Sequence, residues 1–231
     1  MNTKKINDET KKESTSTEDY LKAIYKLMIT SSGSVKTQDI ANKLGVTSAA
    51  VSEMVKKLAT KELLDYVPYK GVRLLPEGIK KGKLVIRRHR LIELYLHEYL
   101  DIPRNMVHEE AEVLEHFASD YLINKMDKKL GFPQFDPHGA PIPDKDGKIP
   151  THTLAIPLSE GKKGDVYKIV RVSNFDSELL EHLETEGITI GVVIDVSGIL
   201  EFDGTVQVKI NENITSLSTK ICQNIWVEPI K

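Results

Sequence analysis

The stretch His108 to His116 reads HEEAEVLEH, and four of its metal-capable side chains share one face of a helix. On a helix, at about 100° per residue from His108, Glu112 falls at about 40°, Glu115 at about −20° and His116 at about 80°. Leu114 and Phe117 point the opposite way. The preceding long helical segment offers His89 and Glu93 one turn apart, and the first helical segment offers Asp19 near its start. Carboxylate oxygen and imidazole nitrogen together suit a divalent cation. Any one of these residues alone reads most simply as part of a solvated face; six of them on two adjacent helices read as a metal site. Enzyme patterns fail at the same positions. HExxH from His108, or HxxEH ending at His116, needs histidine where Glu112 stands, and Glu-x-x-His needs glutamate where Val113 stands. A phosphate loop and a nucleophile elbow are also missing from the sequence, so catalysis is not expected.

A second chemistry lies upstream, in TQDIANKLGVTSAAVSEMVKKLATKELLDYV. Two short helices joined through Gly45 form a helix-turn-helix, whose second helix enters the major groove with its first turn. Thr47, Ser48, Ala49, Ser52 and Glu53 occupy that front. Lys56 and Lys57 suit phosphates, as do backbone amides at the Thr37 end of the preceding helix. Glu53 can accept from cytosine amino groups. Two short strands follow, Leu63 to Val67 and Val72 to Leu75, with Lys70 and Arg73 on the wing that they form.

The elements that position these groups follow from composition and periodicity. Residues 20–104 carry 16 Lys and Arg against 8 Asp and Glu, net +8; residues 132–231 carry 9 against 15, net −6. The front half is therefore the nucleic-acid side. Residues 1–15 are almost wholly polar and read as a disordered tail. Helical spacing then runs from a cap at Ser16 or Thr17 to Ser31-Ser32-Gly33, with Tyr20, Leu21, Ile24, Leu27 and Met28 inward. Thr37 can cap the second helix and Thr47 or Ser48 the third. Glu77 to Leu100 forms a long helix, and Asn105 to Gly131 two more. Five of the ten prolines fall between Phe132 and Pro150, which marks a linker. Beyond it, Val166 to Val172, Gly191 to Val196, Thr205 to Ile210 and Ile221 to Val227 read as strands of a small β-rich domain. The single cysteine, Cys222, sits among apolar residues and reads as a core thiol. It excludes an internal disulfide and fits a reducing compartment; with no apolar segment in MNTKKINDETKKESTSTED, a cytoplasmic location without a membrane span is expected.

From Thr17 to Trp226 the chain resembles the diphtheria-toxin-repressor family of metalloregulators, through TEDYLKAIY, the helix-turn-helix, RRHRLIELYL, VHEEAEVLEH and DPHGAPIP. The resemblance implies an α+β multi-domain chain. It comprises a winged helix-turn-helix at 16–75, an all-α metal-binding and dimerisation domain at 76–131, a linker at 132–152 and a small SH3-like β-barrel at 153–231. It also implies two metal sites. The primary one maps onto Asp19, Glu112, Glu115 and His116. The ancillary one maps onto His89, Glu93 and His108, with Asp176 from SNFDSELL as its fourth member and Glu178 in reserve. Iron-sensing relatives carry methionine and cysteine where this chain has Asp19 and Glu112, so Mn²⁺ is the expected cofactor and Fe²⁺ the second; Zn²⁺ is expected to fill the sites in a test tube. Short manganese-sensing relatives place a further carboxylate where this chain has Lys22. The implied function is a metal-activated, homodimeric repressor of palindromic operators in double-stranded DNA, controlling metal-uptake genes. The rival is a winged-helix regulator answering to a small molecule or a protein, with no metal switch.

Overall fold

The computed structural model describes residues 2–30, 34–67, 70–150, 154–172 and 177–230. They form two compact units: Met1–His89 with Val113–Ser119 and Pro143–Lys148, and Arg90–Glu112 with Asp120–Ile142 and Ile149–Lys231.

In the first unit, α1 (Asn2–Met28), α2 (Thr37–Leu44) and α3 (Ser48–Thr60) precede a two-stranded wing, β1 (Leu64–Val67) and β2 (Gly71–Leu74), and the first part of α4 (Pro76–Leu100). Apolar residues at threes and fours are buried: Leu21 and Ile24 on α1, Ile40 on α2, and Val51, Val55 and Leu58 on α3. Each such side chain contributes roughly 1.5–3 kcal/mol by leaving water. The Thr47 hydroxyl accepts from the Ala50 amide at 3.2 Å and caps α3. Gly45 ends α2 at φ +65°, in the left-handed region that a side chain disfavours. The wing pairs Leu64 with Leu74 and Val67 with Gly71. At Gly71, φ +99°, a Cβ would lie 2.5 Å from Ser34 Oγ and 2.7 Å from the Val35 carbonyl oxygen. Its absence lets Val35 and Val72 exchange backbone hydrogen bonds of 2.9 and 2.8 Å, which ties the wing to the residues before α2.

The second unit holds the rest of α4, most of α5 (Val107–Leu114), α6 (Asp120–Lys129) and an antiparallel six-stranded sheet. Its strands are β3 (Ile156–Pro157), β4 (Val166–Val172), β5 (Val193–Ile199), β6 (Val206–Ile210), β7 (Asn213–Leu217) and β8 (Ile225–Pro229), in the order β3-β8-β4-β5-β6-β7. Alternate residues face one core: Tyr167 and Ile169 from β4, Ile194 and Val196 from β5, Val206 and Val208 from β6, Ile225 and Val227 from β8. Two helices fall between strands, α7 (Ser177–Thr185) and α8 (Thr219–Cys222); they add Leu183 and Cys222 to that core. Burial pushes the Cys222 thiol up to about 11, as befits an inert core residue.

Four expectations need correction. The helix expected to begin at Ser16 or Thr17 begins at Asn2, because residues 2–28 contain no proline or glycine and nothing ends the helix toward its N-terminus. The tail expected to be disordered is therefore helical over residues 2–15. Thr37 is the first residue of α2 and not its cap; Lys36 holds the extended cap conformation without a side-chain bond. The strand expected over Ile221 to Val227 starts only at Ile225, since Ser218 accepts from the Ile221 amide and turns Thr219–Cys222 into a helix. Finally, α5 stops at Leu114, so Glu115 and His116 lie in the turn beyond it and the constant helical angle does not extend to them. The residues that were to end the first helix, Ser31 to Gly33, lie outside the described set, as does Asp176.

Candidate metal centre and nucleic-acid interface

The first unit gathers its chemistry around Glu115, which is fully buried. That carboxylate is placed by the turn after α5, where the Phe117 and Ala118 amides both donate to the Leu114 carbonyl at 3.0 Å. Lys22 of α1 donates to Glu115 Oε1 at 2.6 Å, and His89 Nδ1 of α4 lies 2.7 Å from Oε2. His116 Nε2 stands 3.2 Å from Glu115 Oε1 and 2.9 Å from Asp19 Oδ1. Asp19, Glu115 and His116 each offer a ligand atom, all within 4.8 Å of one another. The other ring nitrogen of His116 lies 2.9 Å from Glu18 Oε2, and Arg88 donates to Glu18 Oε1 at 2.8 Å and to the Glu115 carbonyl at 3.0 Å.

These contacts set the protonation states. Hydrogen bonding to Asp19, then to Glu18, with the charges of Asp19 and Glu115, outweighs burial and raises His116 to about 9. Burial pushes the Glu18 carboxyl up, but the hydrogen bonds and charges of His116 and Arg88 together hold it below its ordinary value. The buried Glu115 carboxylate, met by the Lys22 ammonium and by two imidazoles, is one whose charge must be neutralised on the spot. The donor set of hard oxygens and one imidazole fits a divalent cation, with Asp19, Glu115 and His116 as the side chains that would hold it.

The second unit holds another part of the expected set. His108 Nδ1 lies 3.0 Å from Glu93 Oε1, and His108 Nε2 lies 3.6 Å from Glu112 Oε1. Glu112 is thus found beside His108 here, while His89, one turn before Glu93 on α4, has its ring against Glu115 in the first unit. Asp136 of the DPHG string escaped sequence reasoning, which treated that string as linker. It is buried, accepts from the His138 and Ala140 amides at 2.8 and 2.9 Å, and faces Arg90 Nε at 3.4 Å. Burial first, then the charge of Glu93, raises its pKa against the pull of Arg90 and His138. The only signal for it in the sequence was an aspartate directly before Pro-His-Gly.

At the helix-turn-helix, Thr47, Ser48, Ala49, Glu53 and Lys56 are exposed, and Thr37, Ser52 and Lys57 are half-buried. Lys70 and Arg73 are exposed on the wing. The Ser48 hydroxyl donates to Gln38 Oε1 at 2.9 Å, and Gln38 in turn donates to Asn42 at 3.0 Å. Gln38 therefore fixes the front of α3 against α2, a role that its place in a short polar helix did not advertise. The Ser52 hydroxyl is spent on the Ser48 carbonyl at 2.8 Å. No described helix is long and apolar enough to cross a membrane.

Three family models match in succession: the iron-dependent repressor N-terminal DNA-binding domain at residues 12–72, the iron-dependent repressor metal-binding and dimerisation domain at 75–144, and the FeoA domain at 156–229. The HTH-type transcriptional regulator MntR of Bacillus pumilus is 34% identical over 117 residues, 51% of this chain and 80% of its own. The diphtheria toxin repressor of Corynebacterium glutamicum is 27% identical over 226 residues, 93% of this chain and 96% of its own. A solved manganese-dependent transcriptional repressor in complex with manganese superposes with a TM-score of 0.84 at 37% identity, covering 93% of this chain and all of the other. With a DNA-binding front, a carboxylate-imidazole centre behind it and a FeoA-type sheet at the end, the chain belongs to the diphtheria-toxin-repressor family of metal-dependent transcriptional regulators.

Proposed function

We propose that the chain is a manganese-activated repressor, with Fe²⁺ the second effective metal, that binds palindromic operators of metal-uptake genes as a homodimer in the cytoplasm. The observation that carries this reading is the gathering of Asp19, Glu115 and His116 at ligand distance from two distant stretches of chain. Asp19 belongs to α1, which packs against both α2 and β2 of the DNA-binding unit. Joining Asp19 to the Glu115–His116 turn fixes α1, against which α2, the helix packed on the recognition helix α3, rests. A bound cation supplies positive charge that two carboxylates otherwise take from the His116 proton. We further propose that Glu112 completes this primary set and that His89, Glu93, His108 and Asp176 take an ancillary role.

On the DNA side, two exposed recognition fronts related by a two-fold axis meet successive major grooves when they stand about 34 Å apart. Thr47, Ser48, Ala49, Ser52 and Glu53 are then directed at base edges, and Thr37, Lys56, Lys57, Lys70 and Arg73 at phosphates. The test is operator binding by metal-stripped protein, with Mn²⁺, Fe²⁺ or Zn²⁺ added back. Binding should require metal and be reversed by a chelator; binding unaffected by the chelator would remove the metal switch.

A further inference from the structure

Within the second unit an open cavity of about 280 Å³ lies among the turn that opens α5, the DPHG string, the end of β4, and α7 with the residues after it. Arg104, His138 and Thr189 give it a polar lining, and Leu183 and Ile188, both buried, give it an apolar wall. The surrounding backbone is fixed. The Pro103 carbonyl accepts from the Met106 and Val107 amides at 2.9 and 3.2 Å, which holds Arg104 in its turn. The His138 carbonyl accepts from the Val172 amide at 2.9 Å, and the Leu183 carbonyl from the Ile188 amide at 2.8 Å. Arg104 Nε is the exception in this frame. Of the buried side-chain nitrogen and oxygen atoms among the described residues, it and Thr17 Oγ1 alone have no hydrogen-bond partner, and only the guanidinium is charged. A buried donor left unpaired costs free energy, so such an atom in a cavity wall marks a place for an acceptor.

We propose that this cavity binds a small aliphatic carboxylate, with Arg104 Nε–H donating to the carboxylate and the alkyl group lying on Leu183 and Ile188. Each part of the assignment follows from the lining. An ionised acceptor makes the strongest hydrogen bond open to a guanidinium, and a carboxylate matches its planar edge. The Thr189 hydroxyl supplies a second donor. A phosphate fits less well, because Glu184, exposed at the same cavity, sets a negative charge against a dianion. Volume sets the size. Small-molecule pockets commonly run from roughly 300 to 1,000 Å³, so this one takes an acid with only a few carbons beyond its carboxylate. The site is separate from Asp19, Glu115 and His116, which belong to the first unit. It gives the chain a second class of effector, an organic acid beside the metal ion.

The probe is 3-methylbutanoate, added to the full chain after metal and chelator have both been removed, so that the acid has no bound ion to ligate. Binding is followed by calorimetry and by backbone amide shifts. A dissociation constant of about 1 mM or below is expected for a ligand of this size, with the Arg104 and Thr189 amides among those that shift most. Arg104→Gln keeps a donor but loses the charge, and should weaken binding at least about tenfold. The alcohol 3-methylbutan-1-ol has the alkyl group without the charge, and acetate the charge with little alkyl; each should bind at least about tenfold more weakly than the acid. These two comparisons use the unaltered chain and stand whatever Arg104→Gln does to folding. No saturable binding of 3-methylbutanoate well above the expected constant overturns the proposal, as does unchanged affinity in a folded Arg104→Gln variant. Equal binding of the alcohol or of acetate, or shifts confined to residues away from the cavity, does the same. Displacement of the acid by an equal concentration of inorganic phosphate would make the cavity a general anion site and overturn the aliphatic assignment.

Discussion

Glu115 and Glu93 are both buried carboxylates paired with histidine, yet their surroundings differ. Around Glu115 the partner side chains Lys22, His89 and His116 are 8%, 5% and 7% exposed, whereas beside Glu93 the His108 side chain is 54% exposed and Glu112 39%. A charge that water cannot reach must be balanced by fixed groups, and a change in that balance moves the backbone that carries them. A charge at the edge of water is screened and transmits little. The first cluster has the properties of a switch and the second those of an adjustment.

The largest effects should come from Glu115 and His116, and they should differ in kind. Glu115→Ala strands Lys22 and His89 without their carboxylate; breaking a buried pair in this way costs about 3–5 kcal/mol. The variant should therefore lose stability as well as metal response. His116→Ala removes one group at the centre but leaves the Lys22–Glu115 pair, so it should stay folded and dimeric while metal-dependent operator binding falls by at least about 100-fold, more than the usual effect of removing an outer partner of a metal ligand. Thermal melts and operator titrations on both variants decide it. Equal stability of the two would mean that Glu115 is not as isolated from water as its burial indicates.

Metal choice comes next. Zn²⁺ should bind at least as tightly as Mn²⁺, because affinity of such ligands follows the Irving–Williams order. Activation should rank differently. The proposed set of Asp19, Glu112, Glu115 and His116, three carboxylates and one imidazole, suits a six-coordinate ion, while Zn²⁺ settles for four ligands and can leave Asp19 unengaged. At saturation Mn²⁺, and Fe²⁺ with it, should give higher operator occupancy than Zn²⁺. Glu112→Cys should move the response toward softer ions. Equal occupancy with Mn²⁺ and Zn²⁺, unchanged by the cysteine, would leave coordination number without a role in selectivity.

A smaller effect is expected from pH. His116 is raised from 6.5 to about 9 in the folded chain, chiefly by Asp19 and Glu18. Its imidazolium therefore stabilises the metal-free fold fully below pH 6.5, and this contribution is lost as pH rises through about 9. Metal competes for the same nitrogen, so Mn²⁺ affinity should increase with pH up to about 9. The gap in melting temperature between metal-free wild type and His116→Gln should shrink across that interval. A gap that stays constant would show that the imidazole is already neutral.

The sequence carried the residue types of both clusters but not their wiring. Helical and alternating periodicities exposed the DNA-binding helices and most of the strands, because each pattern repeats within a few residues. Lys22 and Glu115 are 93 residues apart and Arg88 and Glu18 are 70 apart, so no local pattern links them. Glu18 is instructive in another way. One step from Asp19 on a helix, it should face elsewhere, yet the two nitrogens of His116 reach both carboxylates. The strand β7 was hidden by its polar Asn213–Leu217 sequence, which is half outward-facing, and α8 by the β-branched residues around its serine cap. What remains unreadable from a single chain is which distant charges meet.

The smallest expected effect lies in the exposed cluster. His108→Ala should reduce Mn²⁺ occupancy by one ion per chain and weaken operator binding by only about five- to tenfold, the low end of ordinary coupling between sites. Its ring is more than half in water, and Glu93 keeps its place on α4 without it. Asp176→Ala should do less, since Glu93 and His108 remain together at 3.0 Å. The comparison to make is occupancy by elemental analysis beside operator affinity, for both variants and for His116→Ala. If His108→Ala silences the repressor as completely as His116→Ala does, the exposed cluster is a switch of equal rank, and burial does not distinguish the two. If Asp176→Ala leaves occupancy unchanged, the fourth ligand is the exposed Glu178 at the start of α7 or no side chain at all.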